Sequence, residues 1–201
     1  MSSVVEAPQL YLASGSPRRR ELLAQIGIRF AVVTAYVDER VQSGEAPIDY
    51  VQRLALDKAR AGSRSAQAVL SLPILGADTS VVVDGEILGK PLDEAHGLAM
   101  LDRLAGRSHD VYTGVAVVQG GRERVGISAS RVTFRPISHA ERLAYWHSGE
   151  PKDKAGGYAI QGLGAVFVAR LEGSFSGVMG LPVYEAAQLL RDFSIDVLVS
   201  P

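Results

Sequence analysis

Arg18, Arg19 and Arg20 stand in a row behind Ser14-Gly15-Ser16-Pro17. Ser16 suits an N-cap and Pro17 the first helical position, so a helix is expected to begin here, with the arginines in its first turn. The N-terminus of a helix already carries about +0.5 of a charge, so three cations there are unfavourable until an anion joins them. Free amides, small hydroxyl residues and guanidinium groups together make a phosphate cradle. The alternative is a solvated charge run; the Ser-Gly-Ser lead-in, which lets a phosphate approach the backbone, favours the cradle.

Lys58 and Asp78 are charges where local pattern calls for apolar side chains. Lys58 continues the phase of Val51, Leu54 and Ala55, so it lies on or beside the buried stripe of its helix, from which a lysine can also snorkel to water. Asp78 interrupts the apolar run Ile74 to Val83, and an unpaired carboxylate is costly to bury. It needs a cation, a hydrogen-bond network or water. Two roles suit it: a structural ion pair, or a carboxylate that holds metal or takes a proton from water. Lys90 lies beyond a hairpin that can bring it back toward Asp78. Gly156 to Gly164 surrounds Gln161 with glycines, and an amide that both donates and accepts matches the edge of a pyrimidine.

These residues must be positioned by regular elements. Leu10 to Ala13 reads as a strand, followed by a helix from Pro17 to about Gln25 that Gly27 stops. A strand around Phe30 to Val33 precedes a helix opened by Pro47. Ile74 to Val83 turns at Asp84-Gly85 into Glu86 to Leu88, a strong hairpin signal. Glu94 to Leu104 reads as a helix, and Val111 to Val118 pairs with Val125 to Phe134 across Gly120-Gly121. Ser138-His139-Ala140-Glu141 has the capping-box pattern, and the helix it opens carries Tyr145 and Trp146 as packing residues. Ala165 to Leu171 is expected as a strand and Val183 to Arg191 as the last helix. The fold class is α/β, with a partly antiparallel sheet in a single domain over residues 1–201.

The 201 residues, 47% hydrophobic and 21% charged, have the composition of a folded globular chain. A net charge of −1 excludes a globally basic nucleic-acid binder but not a local phosphate site. The absence of cysteine excludes disulfides, thiolate nucleophiles and Cys-ligated zinc. The opening MSSVVEAPQL has no basic stretch leading into an apolar core, so no leader is expected. The longest apolar runs fall far short of the ~20 residues a membrane span needs. The four histidines form no close ligand pair, and neither a Gly-x-Ser-x-Gly elbow nor a P-loop is present.

The segments Leu12-Ala13-Ser14-Gly15-Ser16-Pro17-Arg18-Arg19, Gly76-Ala77-Asp78-Thr79, Gly89-Lys90-Pro91, Tyr112-Thr113-Gly114, Gly157-Tyr158-Ala159-Ile160-Gln161-Gly162-Leu163-Gly164 and Gly180-Leu181-Pro182 resemble, in order and over nearly the whole chain, the motifs of the Maf family. The resemblance implies a metal-dependent nucleotide pyrophosphatase with a house-cleaning role, cytoplasmic and often a homodimer, acting on a small-molecule nucleotide rather than on nucleic acid or membrane. It implies a Maf/ITPase-like fold, a mixed twisted sheet with helices around a central cleft. By the same resemblance Asp78 is the proton acceptor; Ser14, Arg18, Arg19, Lys58 and Lys90 bind the triphosphate; and Arg18, Thr79 and Gln161 set specificity, in the pattern of the subgroup acting on dTTP and UTP. Glu39 and Asp78 are the implied ligands of a divalent metal, Mg2+ or Mn2+, with Glu86 a further candidate. Gly157 departs from the alanine expected in close relatives. A rival reading is a nucleotide-binding regulator, of cell division for instance, that does no chemistry. A third is a phosphatase releasing orthophosphate.

Overall fold

The computed structural model describes residues 7–65, 68 and 71–198. Residues 1–6, where the sequence predicts no leader, lie outside the described residues. Strands β1 (Leu10–Leu12), β2 (Phe30–Val32), β3 (Ile74–Val83), β4 (Glu86–Leu88), β5 (Ser108–Gln119), β6 (Arg122–Phe134) and β7 (Val168–Glu172) form one sheet in the order β2-β1-β3-β5-β6-β7, with β4 also paired to β3. β1 runs parallel to β2 and β3, and the remaining pairs are antiparallel. The helices are α1 (Pro17–Gln25), α2 (Pro47–Ser63), α3 (Glu94–Leu104), α4 (His139–His147), α5 (Phe175–Met179) and α6 (Val183–Arg191). The fold is therefore mixed α/β, as expected. Among the described residues, no helix is long and apolar enough to cross a membrane.

The turn and cap signals act as their chemistry dictates. Asp84 and Gly85 both take positive φ, 54° and 78°, which closes the β3–β4 hairpin. Ser138 and Glu141 complete a reciprocal capping box on α4. The strand expected over Ala165 to Leu171 begins only at Val168, because Leu163–Phe167 forms a 3₁₀ turn. The amides of Leu163 and Gly164 donate to the Glu150 carboxylate at 2.9 and 3.0 Å instead of to a neighbouring strand.

One face of the sheet receives α2 on small residues. Ala55 and Ala59 of the helix pack with Tyr11, Ala13, Ile74 and Ala116. Gly76 and Gly114 face the helix backbone so closely that a Cβ at either would collide with it. The opposite face carries Leu10, Leu12, Leu75, Ala77, Val115 and Val117 under α1 and α6. Farther along the strands, Val81, Val83, Val111, Val132 and Phe134 pack with Leu101 and Leu104 of α3.

His109 belongs to this second cluster's surroundings and is 2% exposed. It meets Phe134 and Tyr158 edge-on, and its Nε2 lies 2.8 Å from the Tyr158 hydroxyl. Burial pulls its pKa down to about 4, against a weaker opposing pull from Asp110. Because the folded value lies below the unfolded ~6.5, the unfolded chain takes the proton first as pH falls. The contribution is complete above pH 6.5 and drains away between pH 6.5 and 4, amounting to about 3 kcal/mol. Urea unfolding from pH 7 to 4 should show this loss, and His109→Phe should flatten that part of the curve; equal slopes for the two proteins would show that His109 is not its source.

Candidate active site

The cleft arises from a gap in the sheet. On the edge of β3 away from β5, pairing with β1 ends at Leu12↔Leu75 and pairing with β4 resumes only at Val81↔Leu88. Residues 76–80 therefore have a strand neighbour on the β5 side alone. Side chains from both faces of β3, Asp78 on one and Thr79 on the other, reach the same opening. The opening has a volume of about 800 Å3, within the roughly 300–1,000 Å3 of small-molecule sites. Ser14, Arg18, Arg19, Glu39, Lys58, Asp78, Thr79, Lys90 and Gln161 all line it.

The α2 stripe delivers Lys58 to the centre. Its Nζ lies 2.6 Å from Asp78 Oδ1 and 2.7 Å from Glu39 Oε1, so one ammonium bridges two carboxylates. The Lys58 and Asp78 side chains are 12% and 11% exposed, whereas Glu39 is 55% exposed. The charge buried in the β3 pattern thus has its cation. Burial pushes the Glu39 carboxyl up, but the hydrogen bond and charge of Lys58, with Lys90 and Arg19 behind them, bring it below its ordinary value. Lys90 sits just past the hairpin pair Val81↔Leu88 and is exposed.

The arginines are held from the far end of the chain. Arg18 Nε donates to the Met179 carbonyl at 3.3 Å and Arg19 Nε to the Gly180 carbonyl at 2.7 Å. Arg19 also donates to Ser14 Oγ at 3.1 Å and Thr79 Oγ1 at 3.4 Å. Desolvation lowers the pKa of its guanidinium, and the charge of Asp78 opposes that. Carbonyls at the end of α5 thus aim two of the three arginines into the opening, which is the structural use of the Gly180-Leu181-Pro182 signature. Arg20 stays exposed, 3.5 Å from the Gly15 carbonyl. Ser16 occupies the N-cap position without a side-chain capping bond; Ser14 Oγ accepts its amide at 3.2 Å instead.

Glu86 is no part of this arrangement. It projects from the hairpin, 69% exposed, and pairs with Arg103 at 2.8 Å. Glu86 opens β4 opposite Val83, at the far end of the hairpin from the unpaired residues 76–80, so it cannot serve the gap. Conversely, Tyr50 and Lys154 line the cleft without having been singled out. Tyr50 stands two i+4 steps before Lys58, a spacing that carries the signal. Its hydroxyl donates to the Glu39 carbonyl at 2.9 Å, and its pKa is raised to about 12 by burial and by the charges of Asp78 and Glu39. Lys154, 14% exposed and paired to Asp153, looks in sequence like part of a surface charge run. Gly157 takes φ +70°, a conformation natural to glycine and strained for alanine.

Two carboxylate oxygens already converge on one cation, and both are hard donors of the kind that hold Mg2+ together with substrate phosphates. Among the described residues there is no group of three or more His, Cys, Asp and Glu side chains to hold a metal. The residues thus fit an ion that shares its coordination with a bound polyanion.

A mixed sheet opened at one strand, with cationic side chains from α1, α2 and the segment after β4 gathered around a carboxylate, makes a cleft whose charge suits a compact polyanion. Residues 9–193 match the family of Maf-like proteins, and the chain belongs to that family. It is 57% identical over 192 residues to the dTTP/UTP pyrophosphatase of Alkalilimnicola ehrlichii, covering 94% of this chain and 95% of that one. It is 54% identical to the dTTP/UTP pyrophosphatase of Saccharophagus degradans, covering 94% and 90%, and 50% identical to that of Bordetella parapertussis, covering 96% of each. Among solved structures, the Staphylococcus aureus Ham1 protein overlaps 62% of this chain and 71% of its own at a TM-score of 0.43 and 15% identity, a likeness too loose to bear on function.

Proposed function

We propose that the protein hydrolyses dTTP and UTP to the nucleoside monophosphate and pyrophosphate. The observation that carries this reading is the Glu39–Lys58–Asp78 bridge at the centre of a cleft rimmed by Arg18, Arg19 and Lys90. The names of relatives half or more identical over nearly their whole length point the same way. Arg18, Arg19, Lys58 and Lys90 hold the triphosphate. Asp78 Oδ1 is taken by Lys58, which leaves Oδ2 to accept a proton from a water lined up on the α-phosphorus. The new P–O bond forms as the bond to the α,β-bridging oxygen breaks, and that oxygen leaves with pyrophosphate. Arg19, already fixed by three acceptors, stabilises the charge that grows on the phosphoryl oxygens. Gln161 reads the base edge with its amide, and Arg18 and Thr79 complete the specificity set. A divalent cation, Mg2+ or Mn2+, held by Asp78 and Glu39, would supply further charge neutralisation and make the attacking water more acidic. With this activity go a house-cleaning role in the cytoplasm and, as the resemblance implies, a homodimer.

Incubation of the purified protein with UTP and Mg2+ tests the reading. Pyrophosphate and UMP are expected in equal amounts. Orthophosphate would identify a phosphatase, and binding without turnover a regulator. Chelation of divalent metal should abolish release and added Mg2+ or Mn2+ restore it; unchanged turnover in excess chelator would remove the metal from the scheme.

A further inference from the structure

Behind the loop that presents Gln161 lies a polar clamp that the reaction does not use directly. Glu150 Oε1 accepts the Tyr145 hydroxyl at 2.6 Å and the Gly164 amide at 3.0 Å, while Oε2 accepts the Leu163 amide at 2.9 Å. The Tyr145 hydroxyl in turn accepts the buried Ala159 amide at 3.1 Å. Two side chains thus tie down the backbone on both sides of Gln161, at residues 159, 163 and 164. The glycines complete the seat: a Cβ on Gly162 would run into the Glu150 carboxylate, and one on Gly164 would lie 2.7 Å from the Tyr145 hydroxyl. Tyr145 itself is anchored, 4% exposed and edge-on to Phe167.

We infer that Glu150 and Tyr145 are positioning residues for base recognition: they touch no substrate and act by holding the 159–164 loop so that the Gln161 amide meets the pyrimidine edge. The inference rests on the reading of Gln161 given above. Burial pushes the Glu150 carboxyl up, but the bonds from Tyr145, Gly164 and Leu163 and the charge of Lys154 outweigh it and hold it below its ordinary value. The carboxylate therefore stays ionised, and it has acceptors for all three donors. In Glu150→Gln one of those acceptors becomes an NH2 group facing an N–H or the tyrosine hydroxyl, which unseats the loop without changing its bulk.

The test is a double-mutant cycle between Glu150→Gln and Gln161→Ala, read as UMP affinity by calorimetry and as kcat and KM for UTP. Each single change should weaken UMP binding about tenfold, the loss of roughly one charge-assisted hydrogen bond, with kcat altered less than about threefold. In the Gln161→Ala background, Glu150→Gln should do almost nothing more. Tyr145→Phe, which keeps the ring, should reproduce Glu150→Gln, and Glu150→Asp should recover part of the affinity. Multiplying effects would mean that Glu150 serves general stability, and would overturn the inference. So would a Glu150→Gln protein that binds UMP as the parent does, or a silent Gln161→Ala. Because UMP binding needs no turnover, a coupled cycle in a protein that releases no pyrophosphate would retain the clamp and sink only the catalytic reading.

Discussion

An Asp78→Asn protein is expected to bind UTP nearly as the parent does and to release pyrophosphate about a thousandfold more slowly, in the middle of the 10²–10⁴ range for loss of a general base. Asparagine keeps the size and an acceptor oxygen, so Lys58 retains a partner at 78 and its second partner, Glu39, is untouched. The arginines are fixed by Ser14, Thr79 and the 179–180 carbonyls, none of which depends on Asp78. Binding and turnover should therefore separate. Calorimetry with UTP and a pyrophosphate-release assay on the same preparation check this. Wild-type turnover in the variant would move the base elsewhere, and a parallel collapse of affinity would make Asp78 a structural partner of Lys58.

The second large effect concerns stability and catalysis together. A Cβ on Gly114 would lie 2.7 Å from the carbonyl carbon of Val51, and one on Gly76 would lie 2.7 Å from the Ala59 amide nitrogen. Both obstacles are α2 backbone, which no rotamer change can relieve, so the helix itself has to lift. Gly114→Ala should destabilise the protein by about 3 kcal/mol, at the upper end of the usual overpacking range. The lift should also draw Lys58 off Asp78, so that activity per folded molecule falls as well. Gly126→Ala is the control: its added methyl meets only side chains, at 3.5 Å or more. Urea midpoints and specific activity of the three proteins decide the matter. A Gly114→Ala protein as stable as Gly126→Ala would show that α2 does not rest on the sheet so closely.

What sequence reasoning recovered was whatever local chemistry dictates. Pro17 and Pro47 open helices, Asp84-Gly85 closes a hairpin, and Ser138 and Glu141 cap α4. The residues of the cleft stood out because each was misplaced by local rules: arginines at a helix start, a lysine on a buried stripe, an aspartate inside an apolar strand. What escaped depends on distant partners. α5 is five residues long, too short for a periodic signal. The turn at Leu163–Phe167 replaced an expected strand because Glu150, far back in the chain, captures its amides. Glu86 was a further candidate metal ligand, and the hairpin carries it outward to Arg103. The gap along β3 is a property of pairing, visible only once β1 and β4 are seen to stop short of each other.

The arginines of α1 take their bearings from carbonyls 161 positions downstream. A nascent chain emerging from the ribosome can lay down β1, the hairpins and α2 well before those carbonyls exist. Until the closing stretch arrives, Arg18 lacks the Met179 carbonyl and Arg19 has only Ser14 and Thr79 to hold it, so the full ability to grip an anion is among the last properties the growing polypeptide acquires.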